Sequence, residues 1–236
     1  MKVAIIGSGA MASGIAQVLI NSEQVTQIVI VARSEDKLLQ VKKACEKQLV
    51  RRVRKGTLDE KKATENIEKV LLSISYTDVK NSQILIEAVT EDYSIKEQVF
   101  KQLINVVNKD TIVATNTSSL SITALSSIMP YPDKVVGLHF FNPAPVMELV
   151  ELVVGYVTDK NVIEQLLEFT QQLGKTPIVV NEAPGFVVNR MLIPMINEAV
   201  SILAEGVASV QDIDKAMKFG AHHPMGPLAL ADLIGN

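Results

Sequence analysis

Very little in these 236 residues can cross-link the chain. The single cysteine, Cys45, excludes an internal disulfide and any metal site built from several thiolates, and it fits a reducing compartment. Long apolar runs are missing too, so no segment reads as a membrane span and no membrane partner is expected. The start, MKVAIIGSG, passes straight into an apolar strand and leaves no room for a signal or transit peptide. A cytoplasmic location follows as the expectation. A surplus of one charge is also absent: 23 Lys and Arg face 26 Asp and Glu, a net charge of −3. The chain has no global attraction for nucleic acid, and any polyanion must be held by a local cluster.

What the sequence does hold is alternation. Near-continuous apolar runs at 2–7, 27–32, 83–89, 111–115 and 134–141 read as strands of a parallel sheet covered on both faces. Helical patterns fill the spaces between them, in GAMASGIAQVLINS, SIKEQVFKQLINVV and SITALSSI. This is the pattern of an α/β doubly wound sheet. Between about 34 and 73 the next strand is delayed by two charged helical stretches separated at Gly56, an inserted helical hairpin. At Pro184-Gly185 the α/β pattern stops. A long apolar helix bent near Pro194 follows, then a second helix with Ser209 as its N-cap. The expected organisation is a dinucleotide-binding domain over 1–183 and an all-α C-terminal domain over 184–236.

GSGAMASG (7–14) follows the first strand and opens the first helix. Gly7 permits the tight turn, Gly9 lets backbone approach a pyrophosphate, and Ala12 takes the third position, where helix and strand pack closely. Free amides at the helix start then face the phosphates. In this context the motif reads as a Rossmann-like dinucleotide site.

Several segments together resemble the 3-hydroxyacyl-CoA dehydrogenase family, and within it the short bacterial 3-hydroxybutyryl-CoA dehydrogenases. They are IEAVTED (86–92), ATNTSSLSIT (114–123), GLHFFNPAPVMELVE (137–151), EAPGFVVNR (182–190), PMINEAVSILAEG (194–206) and HHPMGPLALADLIG (222–235). The resemblance covers essentially the whole chain in order. It implies hydride transfer between a nicotinamide cofactor and a short 3-hydroxyacyl-CoA or its 3-ketoacyl form. It makes His139 the catalytic base, Glu151 the carboxylate that orients it, Ser118 the donor to the reacting oxygen and Asn189 a polar contact across the cleft. Imidazole titrates in the range this proton transfer needs. The resemblance also implies cofactor contacts at Met11, Ala88, Glu91, Lys96, Asn116, Ser118 and Asn142. For Glu91 and Lys96 a solvated helix start is the competing reading. No metal site is expected; His222 and His223 read as loop structure.

Two local features refine this picture. Lys42, Lys43, Lys47, Arg51, Arg52, Arg54 and Lys55 crowd a short stretch that holds one acid, Glu46. The resemblance implies that this patch meets the phosphorylated adenosine end of coenzyme A, with Lys55 matching a coenzyme A-binding lysine. No aromatic stacking platform or nucleic-acid motif accompanies the charges. At the end of the second strand, where many relatives carry an aspartate for the ribose hydroxyls, the sequence is Ala32-Arg33-Ser34. A guanidinium there can chelate a 2′-phosphate and Ser34 can add a donor, so NADP(H) is expected ahead of NAD(H). Glu35 and Asp36 work against it. Family members continue beyond LADLIG with helices that complete the second domain and a dimer interface, so the helical domain is expected to be incomplete and the full-length form a homodimer. A dehydrogenase of a free hydroxy acid and a non-catalytic relative that kept the fold stand as alternatives.

Overall fold

In the computed structural model, which describes residues 1–235, the apolar runs become one eight-stranded sheet. Its strands are β1 (Lys2–Ile6), β2 (Gln27–Val31), β3 (Val70–Ser73), β4 (Ile84–Glu87), β5 (Ile112–Thr115), β6 (Val135–Phe140), β7 (Leu149–Val154) and β8 (Thr176–Asn181). Their order is β3-β2-β1-β4-β5-β6-β7-β8. The first six run parallel; β7 pairs antiparallel to β6, and β8 runs parallel to β7. The chain reverses its winding between β1 and β4, the topological switch point at which open α/β sheets carry their ligands.

Helices α1 (Ala10–Leu19), α2 (Glu35–Arg54), α3 (Glu60–Glu68), α4 (Tyr93–Leu103), α5 (Ile122–Ser126) and α6 (Lys160–Gln172) accompany the sheet. Ala12, Ile15, Ala16 and Leu19 of α1 join Val3, Ile5, Ile28 and Ile30 in the core, all essentially without exposure. Removing each of the Val, Ile and Leu side chains among them from water stabilises the fold by roughly 1.5–3 kcal/mol. α2 buries Leu38, Val41, Cys45 and Leu49 along one stripe, as an amphipathic helix should.

The structure departs from the sequence expectation at 70–73. The helical pattern was expected to run through to Ser73; α3 ends at Glu68 and 70–73 form β3 on the edge of the sheet. The open edge of β2 carries unpaired N–H and C=O groups, and Val70–Ser73 satisfy them in register from Ile28 to Val31. The inserted hairpin is therefore α2 and α3, and the chain re-enters the sheet directly after it.

The described residues divide into two compact units, Met1–Pro184 and a second from Gly185 onward. The second consists of α7 (Val188–Ala204), α8 (Val210–Gly220) and α9 (Pro227–Ile234). α7 runs on through Pro194, and Ser209 caps α8 by accepting from the Asp212 N–H. The Asp214 carboxylate accepts from Leu228 N at 2.9 Å and Ala229 N at 3.1 Å, which fixes the start of α9. Among the described residues no helix is long and apolar enough to cross a membrane.

Candidate active site

Because β1 to β6 are parallel, their carboxyl ends share one edge of the sheet. That edge gathers Gly7 and Gly9 after β1, Arg33 after β2, Ala88 after β4, Ser118 after β5 and His139 near the end of β6.

The centre of the site is a cross-strand pair. His139 and Glu151 stand directly opposite each other in the β6–β7 ladder, and Nδ1 of the imidazole lies 2.7 Å from Glu151 Oε2. Directly opposed residues bring their side chains to one face at close range. Leu138, Phe140, Val150 and Leu152, which alternate with the pair, join the core instead. Glu151 is fully buried and the His139 side chain is 7% exposed, so the pair sits in a low dielectric where a charge-assisted hydrogen bond is strong. The ring of Phe141 tilts at 52° against His139 with centroids 4.5 Å apart. Asn116 Oδ1 accepts from Phe140 N at 2.9 Å and ties the end of β5 to the strand that carries the histidine. The loop between the two partners is pinned by Lys175, whose Nζ donates to Ala144 O at 2.7 Å and Met147 O at 2.8 Å. Asn142 lies exposed in that loop, on a cis bond to Pro143.

A second polar network stands on the neighbouring strand ends. Glu91 Oε1 accepts from Thr117 Oγ1 at 2.6 Å, Ser118 N at 2.7 Å, Ser118 Oγ at 3.1 Å and Ser119 N at 3.1 Å. Burial would raise the Glu91 pKa, but the Thr117 hydroxyl, the Ser118 amide and the Lys96 ammonium together hold the carboxyl below its usual range. Lys96 is completely buried, so it is not part of a solvated helix start. Its Nζ lies 2.8 and 3.0 Å from the two oxygens of Glu87 and 3.4 Å from Glu91 Oε2. Sequence reasoning missed Glu87, which ends β4 inside an otherwise apolar run. A carboxylate in that place could have signalled a buried partner, since isolated charges are not buried unpaired.

The first strand–helix turn fits a dinucleotide. Gly7 has φ +132°, and a Cβ there would come within 2.4 Å of Ala88 O, so only glycine lets β1 and β4 meet at the turn. A Cβ on Gly9 would meet nothing within 4 Å, which leaves open space above the N-cap. No side chain caps α1, so its first amides are available to an anion. Ala12 is buried against the sheet and Met11 is half-buried.

Arg33 is exposed just beyond β2, and Ser34 caps α2 by accepting from Lys37 N at 3.4 Å. Glu35 and Asp36 are exposed in the first turn of α2. Tyr76, which the sequence reading did not single out, has its hydroxyl pKa raised mainly by burial, with the Arg33 guanidinium opposing the shift. Lys55 caps the C-terminus of α2 and is exposed. Arg52 is withdrawn from the basic patch, bonded to Asn21 Oδ1 and to Thr57 O. Asn189 lies half-buried in the first turn of α7, in the second unit. Among the described residues no group of three or more His, Cys, Asp or Glu comes together to hold a metal ion.

Comparison with known proteins agrees along the whole chain. Residues 2–183 match the NAD binding domain of 3-hydroxyacyl-CoA dehydrogenase, and residues 185–236 match the C-terminal domain. The 3-hydroxybutyryl-CoA dehydrogenase of Clostridioides difficile is 48% identical over 235 residues, spanning 100% of this chain and 83% of the relative. The human mitochondrial hydroxyacyl-coenzyme A dehydrogenase is 41% identical, over 99% of this chain and 76% of its own. Among solved structures, the (S)-3-hydroxybutyryl-CoA dehydrogenase of Ralstonia eutropha superposes with a TM-score of 0.93 at 42% identity, over 99% of this chain and 82% of that one.

Proposed function

The chain belongs to the 3-hydroxyacyl-CoA dehydrogenase family, and on that premise we propose that it interconverts a short 3-hydroxyacyl-CoA and its 3-ketoacyl form, as in 3-hydroxybutyryl-CoA and acetoacetyl-CoA. The observation that carries the reading is the buried His139–Glu151 pair on the carboxyl edge of the sheet, 2.7 Å apart.

The nicotinamide, when bound, supplies the hydride acceptor or donor. The chain's own residues do the rest. Amides after Gly9 hold the pyrophosphate, with Gly7, Met11, Ala12 and Ala88 shaping the turn. His139 takes the hydroxyl proton through Nε2 in the oxidative direction and returns it in the reductive one. Glu151 on Nδ1 fixes the tautomer and stabilises the imidazolium. Ser118 donates to the reacting oxygen, and Asn189 provides a further polar contact. Glu91, Lys96, Asn116 and Asn142 serve the nicotinamide end. Lys55 takes the phosphorylated end of coenzyme A; if a charge reversal there left activity untouched, a free hydroxy acid would be the better substrate.

The finer reading is a preference for NADP(H), carried by Arg33 with Ser34, and hence for the reductive direction in a cell. An exposed guanidinium at the end of β2, with no carboxylate at that position, supports it. A cytoplasmic enzyme acting as a homodimer completes the proposal. Exposed apolar side chains in the second unit, Met191 and Phe219 among them, support the dimer.

The test is initial rates of acetoacetyl-CoA reduction with NADPH and NADH, on this chain and on Arg33→Asp. A faster rate with NADPH that the substitution reverses is the expected outcome. Turnover with NADH alone would keep the enzyme and remove the arginine argument.

A further inference from the structure

Glu87 is fully buried and takes no part in the mechanism above, yet both oxygens of its carboxylate are engaged. Oε1 accepts from Val89 N at 2.7 Å and Lys96 Nζ at 2.8 Å. Oε2 accepts from Thr115 Oγ1 at 2.6 Å and Lys96 Nζ at 3.0 Å. We propose that Glu87 is a positioning residue: it fixes the Lys96 ammonium, and thereby leaves the Glu91 carboxylate on the 117–119 turn that carries Ser118.

The argument is a competition of two carboxylates for one cation. Glu87 is held against rotation, because the Val89 amide just beyond β4 and the Thr115 hydroxyl on β5 each hold one of its oxygens. Glu91 is 35% exposed at its side chain and reaches the ammonium only at 3.4 Å, through Oε2. Its other oxygen is given to the turn, where Ser118 N and Ser119 N both donate to it. With Glu87 charged, the ammonium stays back and Glu91 is held from both sides. Glutamine at 87 would present an amide whose N–H groups, in either orientation, oppose the ammonium together with the Val89 or the Thr115 donor. Glu91 would then be the one anion beside a buried ammonium. Attraction at close range in a low dielectric is strong, so the 3.4 Å contact would shorten and draw Glu91 off the turn.

This concerns local structure first, and rests on the proposed function only for its catalytic consequence. The experiment is hydrogen exchange of the Ser118 and Ser119 amides in the full chain. Glu87→Gln should speed their exchange by about tenfold, the worth of one lost hydrogen bond of this class, while core strands β1 and β2 stay within about twofold. Adding Lys96→Met removes the cation that displaces Glu91, and the double variant should return to within about threefold of the parent. Exchange at Ser118 and Ser119 unchanged in folded Glu87→Gln, or as fast in the double variant as in the single one, overturns the proposal. Should Glu87→Gln fail to fold, Glu87→Asp keeps the charge but draws it back by one methylene. It should speed exchange at the two serines severalfold, and no change there would be equally fatal. In turnover, Glu87→Gln should lower kcat by about tenfold with KM for acyl-CoA little changed, because Ser118 acts on the reacting oxygen. Failure of the dehydrogenase reading would show in the parent chain as no turnover, and exchange would still decide the role of Glu87.

Discussion

His139 and Glu151 meet because an antiparallel ladder sets them opposite each other, so their geometry is inherited from backbone register. A slip of one residue in β7 would turn Glu151 into the core and bring an aliphatic side chain to the imidazole. His139→Ala should therefore lower kcat by roughly 10²–10⁴-fold, the usual contribution of a general acid–base group, while the dissociation constant for the reduced cofactor stays nearly unchanged. Stopped-flow turnover beside a fluorescence titration separates the two effects, and full turnover in the variant would remove the histidine from the mechanism. At this scale the motif residues were legible because each falls in a long, specific segment. The burial of Lys96 was not, since a lysine early in a charged helix resembles any solvated one. Its environment is decided by Glu87, nine positions upstream on another element. Tyr76 escaped for the same reason: its place beside Arg33 depends on how β2 and β3 pair, and no local pattern encodes that pairing.

Elements were legible where the hydrophobic period was long or clean. β1, β2, β4, β5 and β6 are apolar along nearly their whole length. β3 was lost because VLLS follows an amphipathic helix with no glycine or proline between them. The edge strand β8 is half-exposed and carries Pro177, which weakens its pattern. α2 offers a measurable check on the helical reading, because its buried face carries the one cysteine. Burial pushes the Cys45 thiol up to about 12 from 9.0, with Glu46 adding to the shift. The folded chain thus holds this proton more tightly than the unfolded one. The stability it contributes is fully present below pH 9.0 and is lost as pH rises towards about 12. Alkylation at pH 8 should be slower in the native protein than in the denatured chain by roughly 10³-fold or more, because reaction must wait for opening. Labelling at the rate of a free thiol would mean that the stripe Leu38, Val41, Cys45 and Leu49 is not packed.

The two units of the whole molecule are unequally equipped to stand alone. The first holds a continuous core that runs from Val3 on β1 to Phe169 on α6, with interior residues contributed by nearly every strand. In the second, among the described residues, Ile196, Ala199, Ile213 and Pro227 are the buried side chains on its helices, while Met191, Val207, Phe219 and Leu233 are 69% to 75% exposed. A unit shorter than about 60 residues buries too small a fraction of its surface to offset chain entropy unless its core is well filled. A fragment of residues 1–184 should therefore fold cooperatively, and a fragment from 185 onward should not. The functional assignment sharpens this expectation. The glycine turn, Arg33, Glu91, Ser118 and the His139–Glu151 pair all belong to the first unit, whereas Asn189 belongs to the second. The 1–184 fragment should bind reduced cofactor within about tenfold of the full chain's affinity, and it should not turn over acyl-CoA. Calorimetry and a fluorescence titration on the same sample decide the matter. A fragment that folds but does not bind would place part of the cofactor site beyond residue 184, and one that turns over normally would take Asn189 out of the reaction.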